Sequence, residues 1–185
     1  KADSMHWDVL LDGTARTTTL QEGTSMVAEN IPDANAELLM GSGATVDYVQ
    51  GFSLPFLMFN TKKAPFDDNR VRQAFFYAID VEKLIMNAMT GHATAIKSFL
   101  PEYHKNFHEA STVYTYDPEK AKSLLAEAGC ENIDVTLLVN NNWVNDLSAQ
   151  IKNDLDAVGI NTTLQVEAIQ WASLAESDDI LPYDV

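Results

Sequence analysis

The chain has 185 residues, of which 46% are hydrophobic, and it carries 27 Asp and Glu against 12 Lys and Arg. The formal net charge of −15 argues against nucleic-acid binding, which depends on basic side chains, and against docking on anionic lipid. No apolar run is long enough to span a bilayer. The single cysteine, Cys130, cannot form an internal disulfide and does not identify the compartment. Length and hydrophobic share predict one compact domain, residues 1–185, with a sizeable core.

The first third of the chain alternates short apolar runs with capped helices. Asp12 precedes a helix that runs to Gln21, and Pro32 precedes one that runs to Leu39. Trp7 lies in an apolar run and is expected in the core. The run over residues 53–60 is apolar on both faces and predicts a central strand. Predicted strands in this part are 7–11, 26–28, 45–50 and 53–60.

Three further helices begin at aspartate caps, namely Asp68, Asp80 and Asp117. In the last of these, Pro118 occupies the first helical position and Gly129 follows the end, so every local signal agrees. Between the second and third helices, residues 92–116 are predicted to be irregular. The expected buried positions are Val71, Ala74, Phe75, Ala78, Leu84, Ile85, Ala88, Ala121, Leu124, Leu125 and Ala128.

The last part predicts a strand at 133–139, a helix ended by Gly159 and a strand at 161–166. A helical turn is expected at 171–176 and a further strand from Tyr183, so the chain looks truncated there. This alternation of periods 2 and 3.6 predicts an α/β or α+β domain.

The search for catalytic motifs yields no catalytic residue and no cofactor. His104 and His108 have a spacing that zinc sites use, but the glutamate of a metalloprotease motif is absent. A metallohydrolase that adds Asp178 or Asp179 as a third ligand is the remote alternative. Asn161 opens a glycosylation triplet, but it lies in a predicted strand. We therefore expect a protein without enzymatic activity.

Two tryptophans follow predicted strands at their carboxyl ends. Trp143 comes after the strand 133–139 and Trp171 after the strand 161–166. In open α/β sheets ligands bind at this edge, and an indole offers a broad apolar wall. Asn142, beside Trp143, joins them as a candidate. Core packing remains the alternative for both tryptophans.

Two segments of the chain resemble the recurrent motifs of family 5 extracellular solute-binding proteins, the peptide and nickel receptors of ABC importers. The first segment comprises Phe59–Asp68 with Val71–Ala74 and Tyr77–Asp80. The second comprises Tyr116–Ala121 with Leu124–Gly129. Their order and separation match the family, and weaker likeness extends over most of the chain.

The resemblance implies one α/β lobe with a mixed sheet, domain II, of a two-lobed receptor with a type II periplasmic-binding-protein-like fold. The first lobe would lie outside this sequence, and the full-length protein would be a periplasmic or extracellular monomer tethered as a lipoprotein. Its partners would be a peptide or small-molecule ligand and the membrane permease. The resemblance also implies that Trp143 and Trp171 face the cleft. The acidic pair Asp178 and Asp179 would suit an amine-bearing ligand.

Alternatives within the same scaffold stay open. A transcriptional regulator could use this domain to sense a ligand, and a segment that binds DNA upstream of Lys1 would identify it. For the ligand, an oligopeptide is the first expectation and a nickel complex the second, while sugars and other small solutes remain open.

Overall fold

The computed structural model describes residues 3–140 and 146–168. The chain divides into two compact units, Lys1–Gly51 and Phe52–Val185, and each is described by itself. Among the described residues no helix is long and apolar enough to cross a membrane.

The first unit contains two helices, α1 (Gly13–Gln21) and α2 (Asp33–Gly41). The Asp12 carboxylate caps α1 by accepting a hydrogen bond from the Ala15 amide at 2.7 Å, as predicted. A Cβ on Gly13 would lie 2.5 Å from Pro32 Cγ, so only glycine permits this close approach. The Arg16 guanidinium donates hydrogen bonds to the carbonyls of Leu10, Leu11 and Asn30. One side chain therefore ties both flanking segments to α1.

The strands predicted at 7–11, 26–28, 45–50 and 53–60 are wrong, because none of them forms a strand in the structure. Trp7 is also not a core residue, since its exposed fraction is 74%. Strand-forming composition requires a hydrogen-bonded neighbour to produce a ladder. In the described part of the chain none of these four segments pairs in a ladder, and Val9, Met26 and Val27 are each more than four-fifths exposed.

The second unit begins with residues 52–68, which form no helix or strand, and continues with the helix α3 (Asn69–Ala78). Phe59 lies against Phe66 and Phe75, with ring centroids 5.6 and 5.2 Å away. The alternate face of the same segment carries Phe56 and Met58, which are 73% and 52% exposed. The segment therefore packs one face on the core and leaves the other open.

Two further helices of this unit are α4 (Val81–Ala88) and α5 (Pro118–Glu127). All three begin at the predicted aspartates, and each carboxylate accepts a backbone amide hydrogen bond. Helix α3 packs against α5, and Arg70 links them by donating to the Glu127 carbonyl at 2.7 Å. Residues 92–116 contain turns and no regular element, as predicted.

A βαβ unit forms the rest of the described chain: β1 (Ile133–Asn140), α6 (Asp146–Asp156) and β2 (Ile160–Glu167). The two strands pair in parallel, from Ile133 with Ile160 to Asn140 with Glu167. The side chains of β1 alternate, with Val135, Leu137 and Val139 buried. The α/β class is confirmed, and the ladder within the described residues is parallel. The predictions for 171–176 and 183–185 lie outside the described residues.

One hydrophobic cluster joins the helices of the second unit to the strands. Its members are apolar side chains from every element of this unit: Phe66, Val71, Ala74, Phe75, Ala78, Ile79, Leu84, Ala121, Leu124, Leu125, Val135, Leu137, Val139, Leu155, Val158 and Ile160. The predicted buried faces of α3 and α5 are confirmed, while Ile85, Ala88 and Ala128 are only half-buried.

The turn between α6 and β2 is fixed by Asp156. Its carboxylate accepts hydrogen bonds from the Thr162 amide and from Lys152 Nζ, both at 2.7 Å. Lys152 Nζ also donates to the Thr162 carbonyl at 2.5 Å. Burial alone would raise the pKa of the Asp156 carboxyl, but the hydrogen bonds from Lys152 and Thr162 outweigh it, so this pKa is lowered.

Replacing the buried ring of Phe75 should cost much more stability than replacing its exposed neighbour. Phe75 is 1% exposed and contacts Phe59 and Phe66, so we expect Phe75→Ala to lower the free energy of unfolding by about 3–5 kcal/mol. Phe76 is 52% exposed and stacks on Tyr114, so Phe76→Ala should cost at most about 1.5 kcal/mol. Chemical denaturation measures both, and equal losses would contradict the core assignment.

The contribution of the Asp156 carboxylate to the free energy of unfolding should be lost at acidic pH. Since its folded pKa is lowered, the stabilisation is present above the unfolded value, about 3.9, and is lost as the pH falls towards the folded pKa. Asp156→Asn should lower the unfolding free energy by about 1 kcal/mol at pH 7, allowing for solvent screening. Denaturation from pH 7 to 3 should show this difference shrinking. The exposed control Asp47→Asn should follow the wild type, and a difference that is undiminished at pH 3 would refute the interpretation.

Candidate functional site

Parallel pairing brings the carboxyl ends of β1 and β2 to one edge of the ladder. Asn140 and Glu167 are paired in register at this edge, and Gln165 Nε2 donates a hydrogen bond to Glu167 Oε1. Towards this end Val139 is 8% exposed, whereas Val166 is 46% exposed. The carboxyl edge is where α/β sheets bind ligands.

The five candidate ligand-binding residues all lie outside the described residues: Asn142, Trp143, Trp171, Asp178 and Asp179. The structure does describe β1 and β2, the strands that precede these residues in the sequence. Trp143 is three residues beyond the end of β1, and Trp171 is four beyond the end of β2. Their roles therefore stay predictions.

The opposite edge of the same ladder carries a shallow groove of about 290 Å³. Leu125 and Val158 form its buried floor, while Lys122, Glu131 and Asn132 line the rim. Lys122 is already paired with Glu119 at 2.8 Å. The groove thus offers an open, mixed surface at the amino ends of the strands.

The remaining candidates from the sequence are His104, His108, Asn161 and Cys130. His104 and His108 lie in a segment of turns rather than on a helix. Within residues 3–140 and 146–168, no three His, Cys, Asp or Glu side chains are grouped closely enough to hold a metal ion. Asn161 Nδ2 donates to Asp134 Oδ1 at 3.0 Å across the two strands, so the amide of the glycosylation triplet is engaged. Cys130 is half-buried and packs against the hydrophobic cluster.

Two arginines in the first turn of α3, Arg70 and Arg72, stabilise the start of this helix. Arg70 forms an ion pair with Asp68 at 2.6 Å, and its hydrogen bonds hold the pKa of the Asp68 carboxyl below its usual value. Arg72 donates to the Phe66 carbonyl at 2.5 Å. Both arginines therefore stabilise the local fold.

Sequence reasoning missed an aromatic group in the irregular region, which we call the Phe52 cluster: Phe52, Tyr103 and His104. The Phe52 ring centroid lies 5.2 Å from that of Tyr103 and 5.9 Å from that of His104. Phe52 is 64% exposed and Tyr103 47%. The sequence did show that three His and three Tyr are concentrated within residues 92–116. The contacts of Tyr103 and His104 with Phe52 depend on tertiary structure, so the sequence alone could not reveal them.

The amino-acid sequence is similar to those of bacterial binding proteins. The chain is 36% identical over 132 residues to heme-binding protein A of Haemophilus influenzae, with 70% of this chain and 24% of that protein covered. It is 31% identical over 130 residues to the dipeptide-binding protein of Escherichia coli, with 70% and 24% covered. The chain thus spans about a quarter of the length of these curated relatives.

A solved structure shows the same fold. The dipeptide-binding protein of Pseudoalteromonas sp. SM9913, in complex with Met-Leu, superimposes with a TM-score of 0.75 at 24% identity. The match covers 96% of this chain and 36% of that one, and it confirms the predicted type II periplasmic-binding-protein fold. The family model for bacterial extracellular solute-binding proteins, family 5 middle region, matches residues 1–181. This chain therefore belongs to the family 5 solute-binding proteins, as its two sequence motifs predicted.

Proposed function

We propose that this chain is part of the substrate-binding component of an ABC importer. It captures an oligopeptide or a similar small solute and delivers it to the membrane permease. The observation that carries the proposal is the family match over residues 1–181, and the dipeptide-binding relative supports the class of ligand. The function requires no covalent chemistry, because the family consists of binding proteins.

In this proposal residues 1–185 supply a single ligand-binding lobe, domain II, and polypeptide outside this sequence supplies the other. Ligand contacts made to both lobes exist only in the closed form, so ligand binding shifts the equilibrium between open and closed states. One lobe alone encloses too little of a small molecule for tight binding. The full-length protein is the species that binds, acts as a monomer and is tethered as a lipoprotein outside the cytoplasmic membrane.

We place the apolar surface that contacts the ligand at the carboxyl edge of β1 and β2. Trp143 follows Asn140 by three residues, and Trp171 follows Glu167 by four. Asn140 and Glu167 are paired at this edge, so both tryptophans come shortly after it in sequence. We propose that they form the apolar wall, with Asn142 as a hydrogen-bonding group beside it.

The negative charge of two candidate residues, Asp178 and Asp179, favours the amino end of a peptide. Asp178 and Asp179 are adjacent acids, and a carboxylate pair attracts an ammonium group and repels a carboxylate. We propose that they face the amine of the captured peptide or of another cationic solute.

The full-length gene product tests the function directly. Native mass spectrometry of the purified protein should reveal a co-purifying oligopeptide. Isothermal titration calorimetry with di- to pentapeptides should measure the affinity of the protein for each peptide. A bound nickel complex or sugar would replace the peptide assignment within the same transport role. Specific binding of DNA without any solute would overturn the proposal in favour of a regulator.

Removing one indole should weaken ligand capture without unfolding the protein. We expect Trp171→Ala in the full-length protein to raise the Kd for peptide at least about tenfold, since a buried aromatic anchor contributes on this scale. Trp7→Ala is the matched control, because Trp7 is 74% exposed and lies outside the proposed wall. Unchanged affinity and unchanged stability would remove Trp171 from the site.

A further inference from the structure

Helices α4 and α6 pack against each other and are joined by two hydrogen bonds to polar side chains of α6. Asn87 Nδ2 donates to Gln150 Oε1 at 3.0 Å, and the Asp80 amide donates to Asp154 Oδ2 at 3.1 Å. Gln150 and Asp154 are four residues apart in α6, so they lie on the same face of this helix. Asp80 caps the start of α4, and Asn87 lies in its last turn. The two hydrogen bonds therefore hold both ends of α4 against one face of α6.

Gln150 occupies a position where a polar side chain costs stability. Its side chain is 8% exposed, and its Nε2 group is buried without a hydrogen-bond partner among the described residues. A buried amide donor that is left unpaired lowers the free energy of unfolding, and few such groups occur in folded proteins. Methionine, an apolar residue of similar length, would avoid this cost. Stability alone therefore does not explain a glutamine at this position.

A hydrogen bond between two helices supplies a direction that apolar contacts lack. Apolar surfaces attract each other in proportion to the area they bury and without a preferred alignment. A buried polar pair can instead specify one alignment of two helices, at a cost in stability. The hydrogen bond from Asn87 to Gln150 thus fixes how far α6 is displaced along α4.

The amino end of α6 lies on the side of the ladder to which we assign the ligand. Since β1 and β2 are parallel, α6 must return the chain from the carboxyl end of β1 to the amino end of β2. It therefore starts on the carboxyl side of the ladder and ends on the amino side. Gln150 follows the first residue of α6, Asp146, by four positions, which is about 6 Å along the helix axis. A displacement of α6 along α4 would move this amino end.

We infer that Gln150 is a positioning residue for ligand binding: the hydrogen bond from Asn87 sets the alignment of α6 on α4 and thereby the place of the amino end of α6. The inference rests on the proposed function. A binding site loses affinity when the elements that support it are held loosely. The buried glutamine therefore exchanges stability for accurate placement of this end of the helix.

Two substitutions in the full-length protein remove the same hydrogen bond but change stability in opposite directions. Gln150→Met also removes the unpaired donor, and the freed amide of Asn87, an exposed residue, can bond to water. Its melting temperature should stay within about 2 °C of the wild-type value or rise. Asn87→Val, a residue of similar helix propensity, leaves the Gln150 amide buried without this partner, so its melting temperature should fall.

Peptide affinity should follow the hydrogen bond and not the stability. Isothermal titration calorimetry with Met-Leu and with trialanine should show the Kd raised about three- to tenfold in both variants. The double variant should show the same rise as either single variant, because all three lack one and the same contact. Asn153→Val is the matched control, since Asn153 is an exposed amide residue of α6, and it should bind both peptides as the wild type does.

The outcomes separate this inference from the function on which it rests. A Kd that rises in Asn87→Val but not in Gln150→Met would show a merely structural role, and unchanged affinity in both would show no role; either result overturns the inference and leaves the peptide function intact. Losses that add in the double variant, or a marked fall in the melting temperature of Gln150→Met, would also overturn it. A wild-type protein that binds neither Met-Leu nor trialanine would overturn the peptide function and this inference with it.

Discussion

The parallel pairing of β1 and β2 is the constraint on which the rest of the second unit depends. Parallel strands cannot be joined by a tight turn, so the chain must cross over through α6 before β2 begins. The crossover buries Leu155 and Val158, and Asp156 fixes its exit through Lys152 and Thr162. Because the strands run in the same direction, their carboxyl ends meet. The edge to which we assign the ligand is therefore a consequence of how the strands are paired.

Helices were predictable where several local signals agreed. The segment from Asp117 to Gly129 combines a cap, a proline at the first helical position, a periodic apolar stripe and a terminating glycine, and the structure confirms each of them. These signals act within one or two turns, so they need no information from distant residues. The same holds for Asp68 and the buried face of α3. Strands were also predicted at 133–139 and 161–166, and the structure confirms both as β1 (Ile133–Asn140) and β2 (Ile160–Glu167).

The unformed strands show the limit of this reasoning. Residues 7–11 and 53–60 have strand composition, but a strand exists only when a second segment accepts its hydrogen bonds. Composition reports the preference of a segment and not the presence of a partner. The Phe52 cluster was missed for a related reason, since Phe52 and Tyr103 are far apart in sequence and meet only through tertiary structure. The five ligand candidates came from position along the chain and from family resemblance, and neither gives side-chain geometry.

The contact between Gly13 and Pro32 limits how the first unit can vary in evolution. Because the proline ring is rigid and a methyl group at position 13 would overlap it, a larger residue at position 13 requires a change at position 32, whereas a change at position 32 does not require the loss of the glycine. The adjacent Thr14 is exposed and free of this restriction. Divergent members of the family that lose the glycine should therefore also lose the proline, which makes the pair a marker of whether α1 and α2 keep this close approach.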